Sequence, residues 1–230
     1  MWIIKLGGSL IGAAELNQWL DLLTQFSDGK IIIVPGGGIF ADAVRQAQML
    51  TNLDDQTAHK IAVLAMDQYG QMIAGLNPAI ATASSELEIA ERGFQHRAIV
   101  WLPSKMVNAD ESIPTNWQVT SDSLAAWLAK KLNAEHLVLV KSLNVAQLSA
   151  MLMPSHQQQM MAGNTQQASL HTLSEHKIID AEFKNYVRNQ NFSTWVISKN
   201  ACSVFKHGFD ANQLSKAAFL VNAHDYALKA

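Results

Sequence analysis

The sequence predicts an α/β fold, a three-layer αβα sandwich in which helices cover both faces of a mostly parallel sheet. Short apolar runs alternate along the chain with longer stretches whose apolar residues recur at helical spacing. Most of these runs are continuous rather than alternating, as is typical of strands buried on both faces of a parallel sheet. The predicted strands are residues 2–6, 30–34, 97–102, 136–140, 194–198 and 217–222.

The segments between these strands predict helices at 13–27, 39–50, 55–75, 84–92, 122–133 and 174–190. The first has an apolar stripe made of Leu16, Trp19, Leu20, Leu23 and Phe26. The last has a stripe made of Ile178, Ile179, Phe183, Tyr186 and Val187. Thr120 or Ser121 can cap the fifth helix and Ser174 the sixth. The segments 103–119 and 151–169 are irregular, and the second, rich in Met and Gln, is predicted to be a mobile loop or an insertion.

Length and composition favour one domain, residues 1–230, with lobes at about 1–119 and 120–230. Hydrophobic residues make up 49% of the chain, which is enough for a sizeable core. The formal net charge is −2, with no long run of either sign, so neither a nucleic-acid partner nor a membrane-binding basic patch is expected.

The N-terminal apolar run stops at Lys5, which argues against a signal peptide, and no apolar stretch reaches the roughly 18 residues of a membrane span. Cys202 is the single cysteine, so no internal disulfide can form, and we predict that it is a small buried filler. These features favour a cytoplasmic location.

Two glycine-rich segments each follow a predicted strand and precede a helix-like stretch. Residues 5–9 read Lys-Leu-Gly-Gly-Ser, and residues 34–38 read Val-Pro-Gly-Gly-Gly. A strand, a glycine loop and a helix together present backbone N–H groups and a helix N-terminus to an anion. Two such loops on neighbouring strands could hold two phosphate groups facing each other, which is what phosphoryl transfer requires.

Lys5 ends the first strand, two residues before Gly7. A lysine at this place neutralises charge that builds on a transferred phosphoryl group. A surface lysine is the alternative, and the adjacent glycines favour the functional interpretation. The loops match neither the Walker A sequence nor the dinucleotide fingerprint, so the phosphate site must be of another type.

Asp122 lies within residues 120–123, which read Thr-Ser-Asp-Ser and begin a strong helical pattern. One interpretation of this segment is an ordinary helix cap. The other is that Asp122 organises lysine ammonium groups and bound phosphates. The two interpretations are compatible. Lys141 follows the strand 136–140, at the carboxyl end where ligands bind in open α/β sheets. A solvated lysine fits that position equally well.

Taken in order, these motifs resemble the amino acid kinase family, which includes acetylglutamate kinase, aspartokinase, bacterial uridylate kinase and carbamate kinase. The resemblance runs from residue 1 to about 145 and more weakly to the end. It implies the carbamate kinase-like αβα sandwich, with the acceptor over the N-terminal half and ATP over the C-terminal half. It also implies transfer of the γ-phosphoryl group to a carboxylate or a phosphate.

A narrower resemblance rests on residues 40–45, 65–70 and 195–198. These segments look like the aspartokinase-like branch that makes the aminomethylfuran unit of methanofuran and methylofuran. In that branch the acceptor is [5-(aminomethyl)furan-3-yl]methyl phosphate and the product is its diphosphate.

The resemblance also implies roles for individual residues. Lys5 would stabilise the transferred phosphoryl group, and Asp122 would organise the lysines. The residues expected at the nucleotide are Gly7, Gly8, Ser9, Ser121, Lys141 and Asn144. The residues expected at the acceptor are Gly36, Gly37, Gly38 and Asp42. ATP is expected to carry Mg²⁺ on its phosphates, and no protein-held metal is expected because the histidines are dispersed.

Two departures from the family pattern lie in the nucleotide half. Residues 140–145 read Val-Lys-Ser-Leu-Asn-Val where the family has Thr-(Asp or Lys)-Val-Asp-Gly-Val, and Asn144 could adopt a left-handed turn in place of Asp-Gly. Residues 216–219 read Lys-Ala-Ala-Phe where the family has a Gly-Thr turn. Lys177 is a candidate for a second phosphate-binding lysine.

These departures leave two alternatives open. One is a degenerate kinase fold that binds a ligand or a partner subunit without catalysis. The other is a kinase of the same family whose acceptor is an amino acid or a nucleoside monophosphate. The stretch 61–66 is hydrophobic nearly all round, which predicts a homo-oligomer.

Overall fold

The computed structural model describes residues 1–25, 31–152 and 165–223. The strands in these ranges are β1 (Trp2–Leu6), β2 (Ile31–Pro35), β3 (Ile80–Ala83), β4 (Ala98–Trp101), β5 (His136–Lys141), β6 (Gln167–Ser169), β7 (Ser193–Ser198) and β8 (Ala218–Asn222). They form one sheet in the order β3-β4-β2-β1-β5-β7-β8-β6. Every neighbouring pair is parallel except β7 with β8, so the predicted mostly parallel α/β fold is confirmed.

The helices are α1 (Ala14–Gln25), α2 (Gly38–Thr51), α3 (Asp55–Leu76), α4 (Glu86–Gly93), α5 (Ser104–Val107), α6 (Ser121–Lys131), α7 (Val145–Leu152), α8 (Leu170–Glu175), α9 (Phe183–Val187) and α10 (Ala211–Leu214). Two further segments, Gly8–Leu10 and Lys199–Phe205, are 3₁₀ helices. Within the described ranges, no helix is both long enough and apolar enough to cross a membrane.

The two faces of the sheet carry separate apolar cores, as a strand buried on both faces requires. In β1, Trp2, Ile4 and Leu6 pack on the side of α1. Ile3 packs on the other side, against α6 and α3. Because side chains alternate along a strand, Lys5 points to the same side as Ile3, toward α6.

The central strands β2, β1 and β5 are parallel neighbours, so they end at the same edge of the sheet. Lys5 of β1 lies opposite Val34 of β2 and Leu139 of β5. The carboxyl ends of these three parallel strands therefore lie side by side, with both glycine loops and Lys141 next to one another.

The predicted strands agree with the observed ones within one residue at each described end, although Lys30, at the start of the second, lies outside the described residues. Two strands were missed, β3 and β6, and they are the two edges of the sheet. Edge strands are partly exposed, so they lack the continuous apolar run that identified the others.

The predicted helix 174–190 is wrong. The chain forms α8 and α9 instead, with an irregular connection between them in which Lys177 has a left-handed backbone (φ 52°). The cap of α8 is Ser169, which accepts from Thr172 N, so the prediction for Ser174 is also wrong. The irregular segment predicted at 151–169 contains the end of α7 and the whole of β6, while 153–164 lies outside the described residues.

Candidate active site

The two glycine loops pack directly on each other. Gly36 N donates to Leu6 O at 2.8 Å, and a Cβ atom placed on Gly8 would lie 2.1 Å from Gly38 N. A Cβ on Gly36 would lie 2.5 Å from Gly8 N, and Gly38 itself has a φ of +56°. Only glycine fits such a contact. The loops thus form one continuous backbone surface rather than two separate cradles.

A charged triad, Lys5, Asp122 and Lys141, lies beside this surface. Lys5 Nζ is 2.9 Å from Asp122 Oδ1, and Lys141 Nζ is 2.7 Å from Asp122 Oδ2. All three side chains are almost fully buried. The structure therefore brings together the two lysines and the aspartate that the sequence singled out.

Local structure explains the position of Asp122. It lies in the first turn of α6, where Thr120 is the N-cap and accepts from Asp122 N, in agreement with the predicted cap. Because Lys5 points from β1 toward α6 and Lys141 ends the adjacent strand β5, both ammonium groups reach the same carboxylate.

Burial and charge shift the pKa values in this triad. Burial alone raises the pKa of Asp122, but the ammonium groups of Lys141 and Lys5 lower it to about 2. Burial lowers the pKa of Lys141 to about 8, against the opposing effect of the Asp122 carboxylate. Since two ammonium groups share one carboxylate, the triad retains positive charge for an incoming anion.

Asp180 was not singled out from the sequence, and it anchors the start of α6. Its Oδ2 accepts from Thr120 N at 3.0 Å, Thr120 Oγ1 at 2.7 Å and Ser123 N at 3.0 Å. Its Oδ1 accepts from Ser123 Oγ and from Phe183 N. A carboxylate at a helix N-terminus satisfies N–H groups and the helix dipole. Asp180 was missed because it fell inside the wrongly predicted helix 174–190.

Two cavities open beside the glycine loops. The first, the lysine cavity, has a volume of about 400 Å³ and is lined by the triad, Gly7, Lys177 and His176 among others. Three lysines thus face one cavity, and they include Lys177, the candidate second phosphate lysine.

The second, the α2–α3 cavity, has a volume of about 470 Å³ and lies between α2, α3 and the start of α6. Gly37, Gly38 and Asp42 line its polar end. Its apolar wall is formed by Ala62, Val63, Met66 and Leu124. Gly8 and Ser9 line both cavities, so the two meet at this point of the first glycine loop.

Three further residues of the α2–α3 cavity were not singled out from the sequence: Arg45, His59 and Trp117. Arg45 Nη1 is 2.8 Å from Asp42 Oδ1, and its guanidinium lies 4.5 Å from the centroid of the Trp117 ring. The spacing of Asp42 and Arg45, three residues apart on a helix, could have identified this pair. No local signal connects Trp117 or His59 to it.

Three predicted site residues do not line the lysine cavity. Ser121, expected at the nucleotide, lines the α2–α3 cavity rather than the lysine cavity. Gly36 is buried against Gly8 and lines neither cavity. Asn144 also lines neither.

The expectation of a left-handed turn at Asn144 is wrong. Its side chain accepts from Gln147 N at 2.9 Å, and Gln147 Oε1 accepts from Asn144 N at 2.9 Å. This reciprocal pair is a capping box. Asn144, which lies where the family has its Asp-Gly turn, therefore begins helix α7.

Cys202 is buried, as predicted, and burial raises the pKa of its thiol. In the part of the chain that the structure describes, no group of three or more His, Cys, Asp or Glu side chains is arranged to hold a metal ion.

A parallel α/β sheet with glycine loops and lysines at the carboxyl ends of its central strands is suited to holding phosphate groups. Residues 1–145 match the model of the amino acid kinase family, and the chain belongs to this family. The chain is also 30% identical over 140 residues to [5-(aminomethyl)furan-3-yl]methyl phosphate kinase of Methanocaldococcus jannaschii, a match that spans 60% of this chain and 64% of that protein.

Solved structures share the fold over nearly the whole chain. UMP kinase of Bacillus anthracis superimposes with a TM-score of 0.66 at 14% identity, covering 97% of this chain and 96% of that one. Uridylate kinase of Archaeoglobus fulgidus gives a TM-score of 0.62 at 16% identity, covering 96% and 99%. At these identities the likeness establishes the fold alone.

Proposed function

We propose that this protein is an ATP-dependent kinase that phosphorylates the phosphate group of a small acceptor. The observation that carries the proposal is the place of the charged triad, beside the point where the two cavities meet at Gly8 and Ser9. The lysine cavity holds the ATP phosphates, and the α2–α3 cavity holds the acceptor. The acceptor thus lies on the N-terminal half and ATP on the C-terminal half.

The acceptor that we propose is [5-(aminomethyl)furan-3-yl]methyl phosphate, and the product is its diphosphate, as in methanofuran and methylofuran biosynthesis. The name of the Methanocaldococcus relative supports this choice. The chemistry of the α2–α3 cavity also supports it, since backbone N–H groups at Gly37 and Gly38 suit a phosphate. The apolar wall and Trp117 suit a small aromatic ring.

In the proposed mechanism, an oxygen of the acceptor phosphate attacks the γ-phosphorus of ATP in line. A new P–O bond forms as the bond to the β-phosphate oxygen breaks, and ADP leaves. Lys5 neutralises the charge of the transferred group, and Asp122 holds Lys5 and Lys141 in place. A phosphate nucleophile is already anionic, so it requires no strong base. Mg²⁺ enters with the ATP phosphates as part of the substrate.

The nucleotide site that we propose uses Gly7, Gly8 and Ser9 together with Lys141 and Lys177, all of which line the lysine cavity. Ser121 takes part from the acceptor side, because it lines the α2–α3 cavity. Asn144 acts indirectly, by starting α7.

An assay of ADP release tests this function. With the furan phosphate and Mg-ATP, the protein should release ADP, and ³¹P NMR should show two coupled diphosphate resonances in addition to those of ADP. A parallel panel of amino acids and nucleoside monophosphates should give rates at least tenfold lower. If UMP or an amino acid is turned over faster, that compound, and not the furan phosphate, is the acceptor.

The capping box at Asn144 favours a second candidate, a non-catalytic ligand-binding subunit, because α7 begins where the family has its Asp-Gly turn. Calorimetry with Mg-ATP separates the two candidates. Binding below millimolar nucleotide supports the kinase, and no binding at that concentration supports the degenerate fold.

We also propose that the protein forms a homo-oligomer in the cytoplasm, where its co-substrate ATP is available. The helices α2 and α3 pack on each other and leave large apolar side chains exposed, namely Met49, Leu50, Ile61 and Leu64. A second copy of the chain would cover this surface.

A further inference from the structure

His59 of α3 is a buried histidine with one unused hydrogen-bonding atom. Its side chain is part of the wall of the α2–α3 cavity, and the residue is only 3% exposed. Nδ1 lies 3.0 Å from Asn116 O. Because a carbonyl oxygen can only accept, Nδ1 must carry the hydrogen. Nε2 is buried and has no hydrogen-bond partner in the described structure.

The protonation state of His59 follows from its surroundings. Burial lowers the pKa of the imidazole, and the contact with Asn116 O opposes this only in part. The neutral ring therefore presents Nε2 as a lone-pair acceptor. A buried acceptor without a partner is unfavourable, so a ligand that brings a donor to it gains affinity.

The rest of the cavity indicates what kind of donor fits. The glycine loop supplies backbone N–H groups that suit an anion, while the carboxylate of Asp42 is already paired with Arg45. A ligand that carries both a phosphate and an ammonium group matches the glycine loop and the lone pair of His59. The apolar wall that includes Val63 and Met66 lines the same cavity.

We propose that His59 Nε2 accepts a hydrogen bond from the amine of the acceptor and thereby selects phosphates that also carry an amine. This inference rests on the proposed function and deepens it, because it assigns the recognition of the aminomethyl group to one atom. His59 acts on substrate choice and does not take part in phosphoryl transfer.

The test compares two probes, [5-(aminomethyl)furan-3-yl]methyl phosphate and (5-methylfuran-3-yl)methyl phosphate. Their dissociation constants are measured by calorimetry without ATP, and their KM and kcat values in the ADP assay. The wild type should bind the amine probe at least about tenfold more tightly than the methyl probe. In His59→Leu this preference should disappear, through weaker binding of the amine probe.

Two further variants keep the result interpretable. His59→Gln retains a donor for Asn116 O and an acceptor oxygen, so it should restore part of the preference. His136→Leu is the matched control, since His136 also has a buried ring nitrogen without a partner but packs on Trp2 at the start of β5, away from the glycine loops. It should leave the preference unchanged, and a thermal melt verifies that each variant is folded.

The outcomes separate this inference from the proposed function. If both probes are turned over and His59→Leu prefers the amine probe as strongly as the wild type does, the role of His59 is overturned and the kinase assignment stands. A preference that depends on His59 in calorimetry, without ADP release, supports His59 and overturns the kinase assignment. Failure of the wild type to bind either probe overturns both.

Discussion

Lys141 Nζ contacts both oxygens of the Asp122 carboxylate, at 2.9 Å from Oδ1 and 2.7 Å from Oδ2. Lys5, from the other half of the chain, shares Oδ1 at 2.9 Å. One buried carboxylate therefore ties β1 to β5 and to the start of α6. Buried charges of this kind are stable only when they remain paired, so the triad responds strongly to substitution and to pH.

Replacing Lys5→Ala should lower kcat at least about a hundredfold, because it removes the positive charge nearest the glycine loops. The fold should survive, since Asp122 keeps its contacts with Lys141. Lys131→Ala, a partly exposed lysine paired with Glu86, is the control and should retain full activity. Near-normal turnover in Lys5→Ala would overturn the catalytic assignment.

Replacing Asp122→Asn should reduce the free energy of unfolding by about 3 kcal/mol, because it leaves two buried ammonium groups without a counter-charge. Urea denaturation measures the change. The double variant Asp122→Asn, Lys141→Met should recover part of the stability, since one of those charges is removed, while activity stays low. If the double variant is no more stable than the single one, the triad does not carry the pairing energy assigned to it.

The lowered pKa of Lys141, about 8, predicts how activity depends on pH. Above this pH the free enzyme loses a positive charge from the lysine cavity, so kcat/KM for ATP should fall with an apparent pKa near 8. Lys141→Arg keeps its charge and should lack this fall, whatever its basal rate.

The lowered pKa of Lys141 also predicts whether the free energy of unfolding rises or falls with pH. Between about pH 8 and the ordinary lysine pKa, the unfolded chain binds more protons at Lys141 than the folded one. The contribution of Lys141 to the free energy of unfolding should therefore rise with pH in this range. A wild-type stability that falls more steeply there than that of Lys141→Met would contradict the pKa assignment.

Gly8→Ala should destabilise the protein by about 1–3 kcal/mol, since its Cβ would meet Gly38 backbone atoms that have no flexible side chain to move aside. Gly75→Ala is the matched control, because a Cβ on Gly75 in α3 would have no neighbour within 4 Å. It should stabilise α3 by up to about 1 kcal/mol. Equal effects of the two substitutions in thermal melts would argue against the tight contact between the loops.

Leu64→Glu should shift the protein toward monomers in light scattering, because Leu64 is 48% exposed on α3, within the proposed subunit interface. Leu87→Glu, on α4, replaces an even more exposed leucine and should leave the assembly unchanged. A wild type that is monomeric at all concentrations would contradict the homo-oligomer.

The inner strands of the sheet were predictable because burial on both faces requires a continuous apolar run. The edge strands β3 and β6 were not, since an edge strand needs no such run. The helix predicted at 174–190 failed for a tertiary reason. Asp180 is not helical, because its carboxylate accepts hydrogen bonds from the start of α6. No local sequence pattern encodes this tertiary contact.

The sequence by itself determined the six inner strands, the two glycine loops, and Lys5, Asp122 and Lys141 as the residues of interest. Those features follow from local periodicity and from the chemistry of single residues. Only the tertiary structure decided that the loops share one backbone surface and that His59 and Asp180 belong near the site. Those relationships join residues far apart in sequence, and they depend on the register and packing of the folded sheet.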